Sequence, residues 1–121
     1  MLVIEGLLID CEDLATMSAF WCQALDFEYV RTGPSGGYLL AAKDGSPLWL
    51  GLLPRQDRKT AKNRLHLDLR PDDQDAEVER LESIGARRID IGQSGKEPWV
   101  VMADPEGNEF CVLRSRPVEP R

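Results

Sequence analysis

The sequence predicts an α+β fold made of two β-α-β-β-β modules. Two observations carry this: a repeat at an offset of 60 residues, and the same order of elements after each copy. Setting Gly6-Leu-Leu-Ile-Asp-Cys-Glu-Asp13 above His66-Leu-Asp-Leu-Arg-Pro-Asp-Asp73 puts Leu7 on Leu67, Ile9 on Leu69 and Asp13 on Asp73. One helix-period stretch follows each copy, and then three extended segments. Helices and strands do not alternate regularly, which argues against a doubly wound parallel sheet. One module alone is too small to bury a good core, so two must pack, within the chain or by exchange between chains.

The opening residues, MLVIEGLLIDCED, read as a strand. Leu14, Met17, Trp21 and Leu25 then recur at helical spacing, with Asp13 as the start signal. In the second copy the stretch is Ala76 or Val78, Leu81 and Ile84, with Asp72, Asp73 and Asp75 crowding its start. Gly85 suits a left-handed helix end, and Asp26 takes the equivalent place in copy one. Extended segments are expected at 27–32, 37–42 and 47–53, then at 86–92, 98–103 and 108–114, separated by Gly- and Asp-rich turns. The expected organisation is one domain over 1–121: module one 2–54, a linker 55–63, module two 64–114 and a tail 115–121.

Composition bounds the function. Net charge is −6 with no basic stripe, which argues against nucleic-acid binding. No apolar run is long enough for a membrane span, so no membrane partner is expected. The start has no basic n-region, which reads as no export signal and a cytoplasmic location. Cys11, Cys22 and Cys111 are an odd count without a CxxC pair and read as buried free thiols. The single histidine, His66, excludes any site needing two imidazoles from one chain. The basic cluster 55–64 reads as a solvated linker.

Strand alternation then places the chemistry. In 65–70 the leucines take one face and His66, Asp68 and Arg70 the other. In 108–114 Phe110 and Val112 oppose Glu109, Cys111 and Leu113. In the first module Trp49, Gly51 and Leu53 oppose Leu48, Leu50 and Leu52, and Gly6, Leu8 and Asp10 oppose Leu7 and Ile9. The second face thus mixes large apolar groups (Leu8, Trp49, Leu53, Leu113) with Asp10, His66, Asp68, Arg70 and Glu109. An apolar cavity with a few convergent polar groups is how small-molecule sites look. An ordinary half-wet sheet is the other reading, with Asp68 and Arg70 simply paired. Trp49 and Trp99 could stack on a flat ligand or pack in the core. Trp21, on the helix's apolar stripe, reads as core. Gly36-Gly37 lacks the helix and Lys-Ser/Thr of a phosphate loop.

These features resemble the vicinal-oxygen-chelate superfamily, which takes in glyoxalases, bleomycin resistance proteins and dioxygenases. The resemblance rests on the duplicated module, on Ala19-Phe-Trp-Cys-Gln-Ala-Leu-Asp-Phe27, on Leu81-Glu-Ser-Ile-Gly-Ala86, and most specifically on Asp104-Pro-Glu-Gly-Asn-Glu-Phe110. It covers about residues 2 to 114 and is nearest to the small glyoxalase-like branch. It implies a half-open barrel around a pocket, and a homodimer.

The resemblance also implies a metal site in metal-dependent members, with one ligand on the first and one on the last strand of each module. Module two supplies His66 and Glu109, which are also the catalytic candidates. The repeat-equivalent residues of module one, 60 positions earlier, are Gly6 and Trp49, and neither can ligate through its side chain. Asp68 could serve as a third ligand. Asp10 lies about 13 Å along its strand from Gly6, an awkward substitute. The expectation is therefore a small-molecule-binding protein of unassigned substrate, without a complete metal site or cofactor. Its ligand-binding candidates are Asp10, Trp49, His66, Asp68, Arg70, Trp99 and Glu109. Two alternatives stand beside it. One is a divalent-metal-dependent lyase, isomerase or dioxygenase using His66 and Glu109. The other is a drug-sequestering resistance-type protein. An interaction module with no small ligand is the last reading.

Overall fold

The computed structural model of the chain describes residues 1–116, so residues 117–121 of the expected tail lie outside the described residues. The chain divides into two compact units between Arg58 and Lys59, inside the segment expected to link them. Among the described residues no helix is long and apolar enough to cross a membrane.

The first unit runs β1 (Gly6–Cys11), α1 (Leu14–Leu25), β2 (Phe27–Thr32), β3 (Tyr38–Ala42) and β4 (Trp49–Pro54). Asp13 caps α1 as expected, its carboxylate accepting from Thr16 N at 3.0 Å and Thr16 Oγ1 at 2.7 Å. Asp26 ends the helix in the left-handed region (φ 57°). The sheet order is β1-β4-β3-β2, with β1 and β4 parallel and the rest antiparallel. Met17, Phe20 and Trp21 of α1 are buried, as are Leu40, Leu50 and Leu52 of the sheet. The opening strand is shorter than expected: Met1–Ile4 stay outside the sheet and are exposed.

The second unit repeats the plan with β5 (Leu67–Leu69), α2 (Gln74–Ser83), β6 (Arg87–Arg88), β7 (Val100–Ala103) and β8 (Glu109–Val112). Its order, β5-β8-β7-β6, is that of the first sheet. The register repeats too: Leu7↔Leu50, Leu8↔Gly51 and Ile9↔Leu52 become Leu67↔Phe110, Asp68↔Cys111 and Leu69↔Val112. The 60-residue offset is thus a property of the hydrogen-bond ladder as well as of the sequence. Neither sheet closes on itself.

Asp73 caps α2, its Oδ1 accepting from Ala76 N at 3.1 Å. Asp73→Ala should cost about 1 kcal/mol of unfolding free energy, because a first-turn N–H loses its partner. Urea denaturation would measure it, and an unchanged midpoint would show the cap to be dispensable. Val78 and Leu81 supply the buried stripe, whereas Ala76 is exposed.

Two elements fall short of expectation. The segment expected as a strand over 86–92 shortens to Arg87–Arg88, with one further backbone bond from Ile89 N to the Val101 carbonyl at 3.1 Å. From Asp90 to Glu97 side chains take over the backbone partners: Asp90 accepts from Gly92 N, Gln93 bonds Ile89 and Ile91, and Glu97 accepts from Ser94 N and Gly95 N. Such local bonds compete directly with a sheet ladder. The strand expected from Leu65 begins instead at Leu67, and Leu65 is 90% exposed rather than in the core.

Candidate functional site

The chemistry-bearing face of the second unit is built by β5 and β8. Their ladder pairs Leu67 with Phe110, Asp68 with Cys111 and Leu69 with Val112, and His66 and Glu109 are the residues just before its first pair. Alternation puts Asp68 of β5 on one face with its register partner Cys111 and with Glu109 of β8, and His66 reaches that face through Asp68. The last hairpin sets the entry to β8. Asp104 is fully buried, and its carboxylate accepts from Glu106 N, Asn108 N and Asn108 Nδ2. Gly107 supplies the positive φ (93°) that this turn needs.

Glu109 is buried, and both of its oxygens are engaged. Oε2 accepts from Lys59 Nζ at 2.8 Å, and Oε1 accepts from Asn63 N at 2.9 Å. Burial alone would raise its pKa. The Lys59 ammonium and the Asn63 N–H outweigh burial and hold the carboxyl below its ordinary range. Lys59 also donates to the Ala61 carbonyl, so residues 59–63 form a strap tied down on Glu109. This corrects the expectation of a wholly solvated basic linker, since the Lys59 side chain is only 18% exposed. It also accounts for the late start of β5, because the Asn63–Glu109 bond holds the chain in a bend just before His66.

His66 Nε2 lies 3.1 Å from Asp68 Oδ1. Together with Cys111 Sγ these groups form a cluster whose ligand atoms lie within 4.8 Å of one another. Burial pushes the Cys111 thiol pKa up, the Asp68 charge adds to this, and Lys62 opposes it. The expected Asp68–Arg70 pair does not form: Arg70 donates to the Arg114 carbonyl at 2.9 Å. Trp99, just before β7, is 42% exposed and is not a core residue.

In the first unit the repeat-equivalent pair is Gly6↔Trp49. The indole lies flat on the glycine, so close that a Cβ on Gly6 would meet ring atoms at 2.2–2.4 Å. Two residues on, the roles reverse: Leu8 lies over Gly51, where a Cβ would meet Leu8 Cδ2 at 2.4 Å. Asp10 pairs with Arg55 at 3.7 Å on the surface. The seven expected ligand-binding residues therefore fall into two sets. Asp10 and Trp49 belong to the first unit, and His66, Asp68, Arg70, Trp99 and Glu109 to the second.

Three participants escaped sequence reasoning. Cys111 was placed on the correct face by alternation but read only as a buried thiol. Lys59 and Asn63 carry no periodic signal, because they reach Glu109 from far along the chain.

A family model described as a glyoxalase-like domain matches residues 6–113. The chain belongs to this family. No curated protein sequence matches it. Among solved structures, the glyoxalase-like chain is similar to a mutant of FosX, a genomically encoded fosfomycin resistance protein from Listeria monocytogenes, complexed with Mn(II) and 1S,2S-dihydroxypropylphosphonic acid. Identity is 14% and TM-score 0.74, over 96% of this chain and 92% of that one. It is also similar to TnmS3, an antibiotic binding protein from Streptomyces sp. CB03234, at 20% identity and TM-score 0.64, over 96% and 98%. A glyoxalase/bleomycin resistance protein/dioxygenase family enzyme from Burkholderia phytofirmans PsJN gives 22% and 0.64, over 90% and 95%. At these identities the similarity establishes the fold: a mixed α+β chain of two four-stranded sheets and two helices.

Proposed function

We propose that this glyoxalase-like domain binds a small organic molecule and does so without the family's four-ligand metal site. The observation that carries this is the engagement of Glu109. Its oxygens are taken by an ammonium and a backbone N–H, so the charge a divalent metal would supply there comes from Lys59. The first unit's equivalents agree, since an indole packed on a glycine offers no donor. Two remaining family positions, His66 and Glu109, fall short of the three or four ligands that tight sites use. The residues proposed for ligand contact are Asp10 and Trp49 in the first unit and His66, Asp68, Arg70, Trp99 and Glu109 in the second. Sequestration of an antibiotic-like molecule fits this reading, and the likeness to an antibiotic binding protein supports it. The proposal also includes the module limits 2–54 and 64–114, a homodimer and a cytoplasmic location.

The test is a thermal-shift and native mass-spectrometry screen of metal-stripped, tag-free protein against organic small molecules, antibiotics included. A true ligand at about 100 times its Kd should raise Tm by roughly 10 °C. The metal-dependent reading has one observation in its favour, the Mn(II) complex of the similar FosX structure. It requires Lys59 to release Glu109. A divalent metal held tightly by the native chain and lost in Glu109→Gln, with no organic ligand found, would reject the proposal in its favour.

A further inference from the structure

The cluster on β5 and β8 suggests a different use of the same face. We propose that His66, Asp68 and Cys111 form a divalent-cation site of their own, for a thiophilic metal of the zinc class. This site is shifted one pleat along the sheet from the His66–Glu109 pair. It does not depend on any organic ligand, and it stands whether or not one binds.

Three observations support it. First, the donors converge because of the ladder: Asp68 and Cys111 are register partners, and His66 is two residues before Asp68 on the same face. Second, the distances suit a small tetrahedral ion. Zinc bonds of about 2.0 Å to nitrogen or oxygen and about 2.3 Å to sulfur set ligand atoms about 3.3–3.7 Å apart. The His66–Asp68 separation is 3.1 Å, and all three atoms lie within 4.8 Å, so side-chain adjustment of an ångström or so completes the fit. Third, the donor set is selective. Thiolate and imidazole favour zinc and similar ions, whereas magnesium, calcium and manganese prefer all-oxygen shells.

The site is also accessible, with His66 39% and Asp68 54% exposed, while the Cys111 backbone is fixed in a buried strand. Three protein ligands leave one tetrahedral position for water or for an oxygen of a bound molecule. The repeat gives an internal comparison. The equivalents of His66, Asp68 and Cys111 in the first unit are Gly6, Leu8 and Gly51, which offer no donor at all. The cluster is thus a feature of the second unit alone. On binding, the His66 Nε2 lone pair and an Asp68 carboxylate oxygen bond the cation, a proton carried on Nε2 passes to Nδ1 or to solvent, and the Cys111 S–H bond gives its proton to solvent as the metal–sulfur bond forms.

The test uses the full chain, stripped with chelator and kept reduced. Cobalt(II) is added first as a spectroscopic probe, then zinc(II) against a chromophoric competitor. The expected result is a thiolate-to-cobalt charge-transfer band in the near ultraviolet, abolished by one equivalent of zinc. Cys111→Ser and Asp68→Asn should each weaken zinc binding by at least about 100-fold, since even outer-shell partners are worth 10- to 100-fold. Cys22→Ser, which alters a thiol elsewhere, should keep the band. Should Cys111→Ser fail to fold, Cys111→Ala and the wild-type spectrum carry the test. A cobalt complex with no thiolate band, or zinc affinity unchanged in the Cys111 variants, would overturn the site.

Discussion

Lys59→Met should destabilise the protein by about 2–3 kcal/mol, more than removal of any exposed ion pair. Removing one partner of a buried pair typically costs about 3–5 kcal/mol, because the other charge is left uncompensated. The Lys59 side chain keeps some solvent access, which lowers that figure. The stranded group would be Glu109, only 8% exposed and left with the Asn63 N–H as its partner. The double variant Lys59→Met/Glu109→Gln should recover much of the loss, since a neutral amide needs no counter-charge. Urea unfolding of the four proteins in the cycle measures this. Additive losses would mean that the two side chains do not communicate.

The same pair sets an acid response. The Glu109 carboxyl is held below its ordinary value of about 4.3 in the folded chain. The ion pair therefore contributes in full above that ordinary value, and its contribution is lost as pH falls through the lower folded value. Wild-type stability should drop more steeply below about pH 4.3 than that of Glu109→Gln. Equal slopes would place the carboxyl in an ordinary environment.

The difference between what the sequence revealed and what it hid follows from range. Asp13 and Asp73 act within three residues of themselves, so their capping role could be read from position alone. The 60-residue repeat is long-range but written twice, and its pairing register then follows from two equal strands meeting two equal strands. Alternation placed His66, Asp68 and Glu109 on one face because a strand's period is two. By contrast, the Lys59 contact is written once, by a residue in no regular element. Nothing periodic distinguishes it from Arg55 or Arg58, which pair with Asp10 and Glu12 on the surface. The short β6 was hidden for a related reason. Asp90, Gln93 and Glu97 compete locally for backbone groups that a pattern of apolar residues assigns to a ladder.

Gly6→Ala should cost about 1–3 kcal/mol, an overpacking penalty at a site already filled by a neighbour. The added Cβ would stand 2.2–2.4 Å from three atoms of the Trp49 indole. A rigid bicyclic ring cannot yield by bending, so the whole side chain must leave its place. Gly51→Ala makes the informative contrast. Its nearest atom is equally close, at 2.4 Å, but that atom is Leu8 Cδ2, the tip of a flexible and largely exposed side chain. The expected cost there is under about 1 kcal/mol, because a rotamer change of Leu8 relieves the clash. Trp49→Leu should suppress the Gly6→Ala penalty, with a coupling of about 0.5–3 kcal/mol in the four-variant cycle. A shift in tryptophan fluorescence in Gly6→Ala would report the displaced ring directly. If Gly6→Ala and Gly51→Ala cost the same, the indole is not seated on Gly6, and the close packing assigned to this pair is wrong. If they differ as expected, the space beside position 6 is set by the Trp49 ring. The glycine makes room for the indole, and the indole fills the space beside the glycine, so any side chain introduced at position 6 alone would meet the ring.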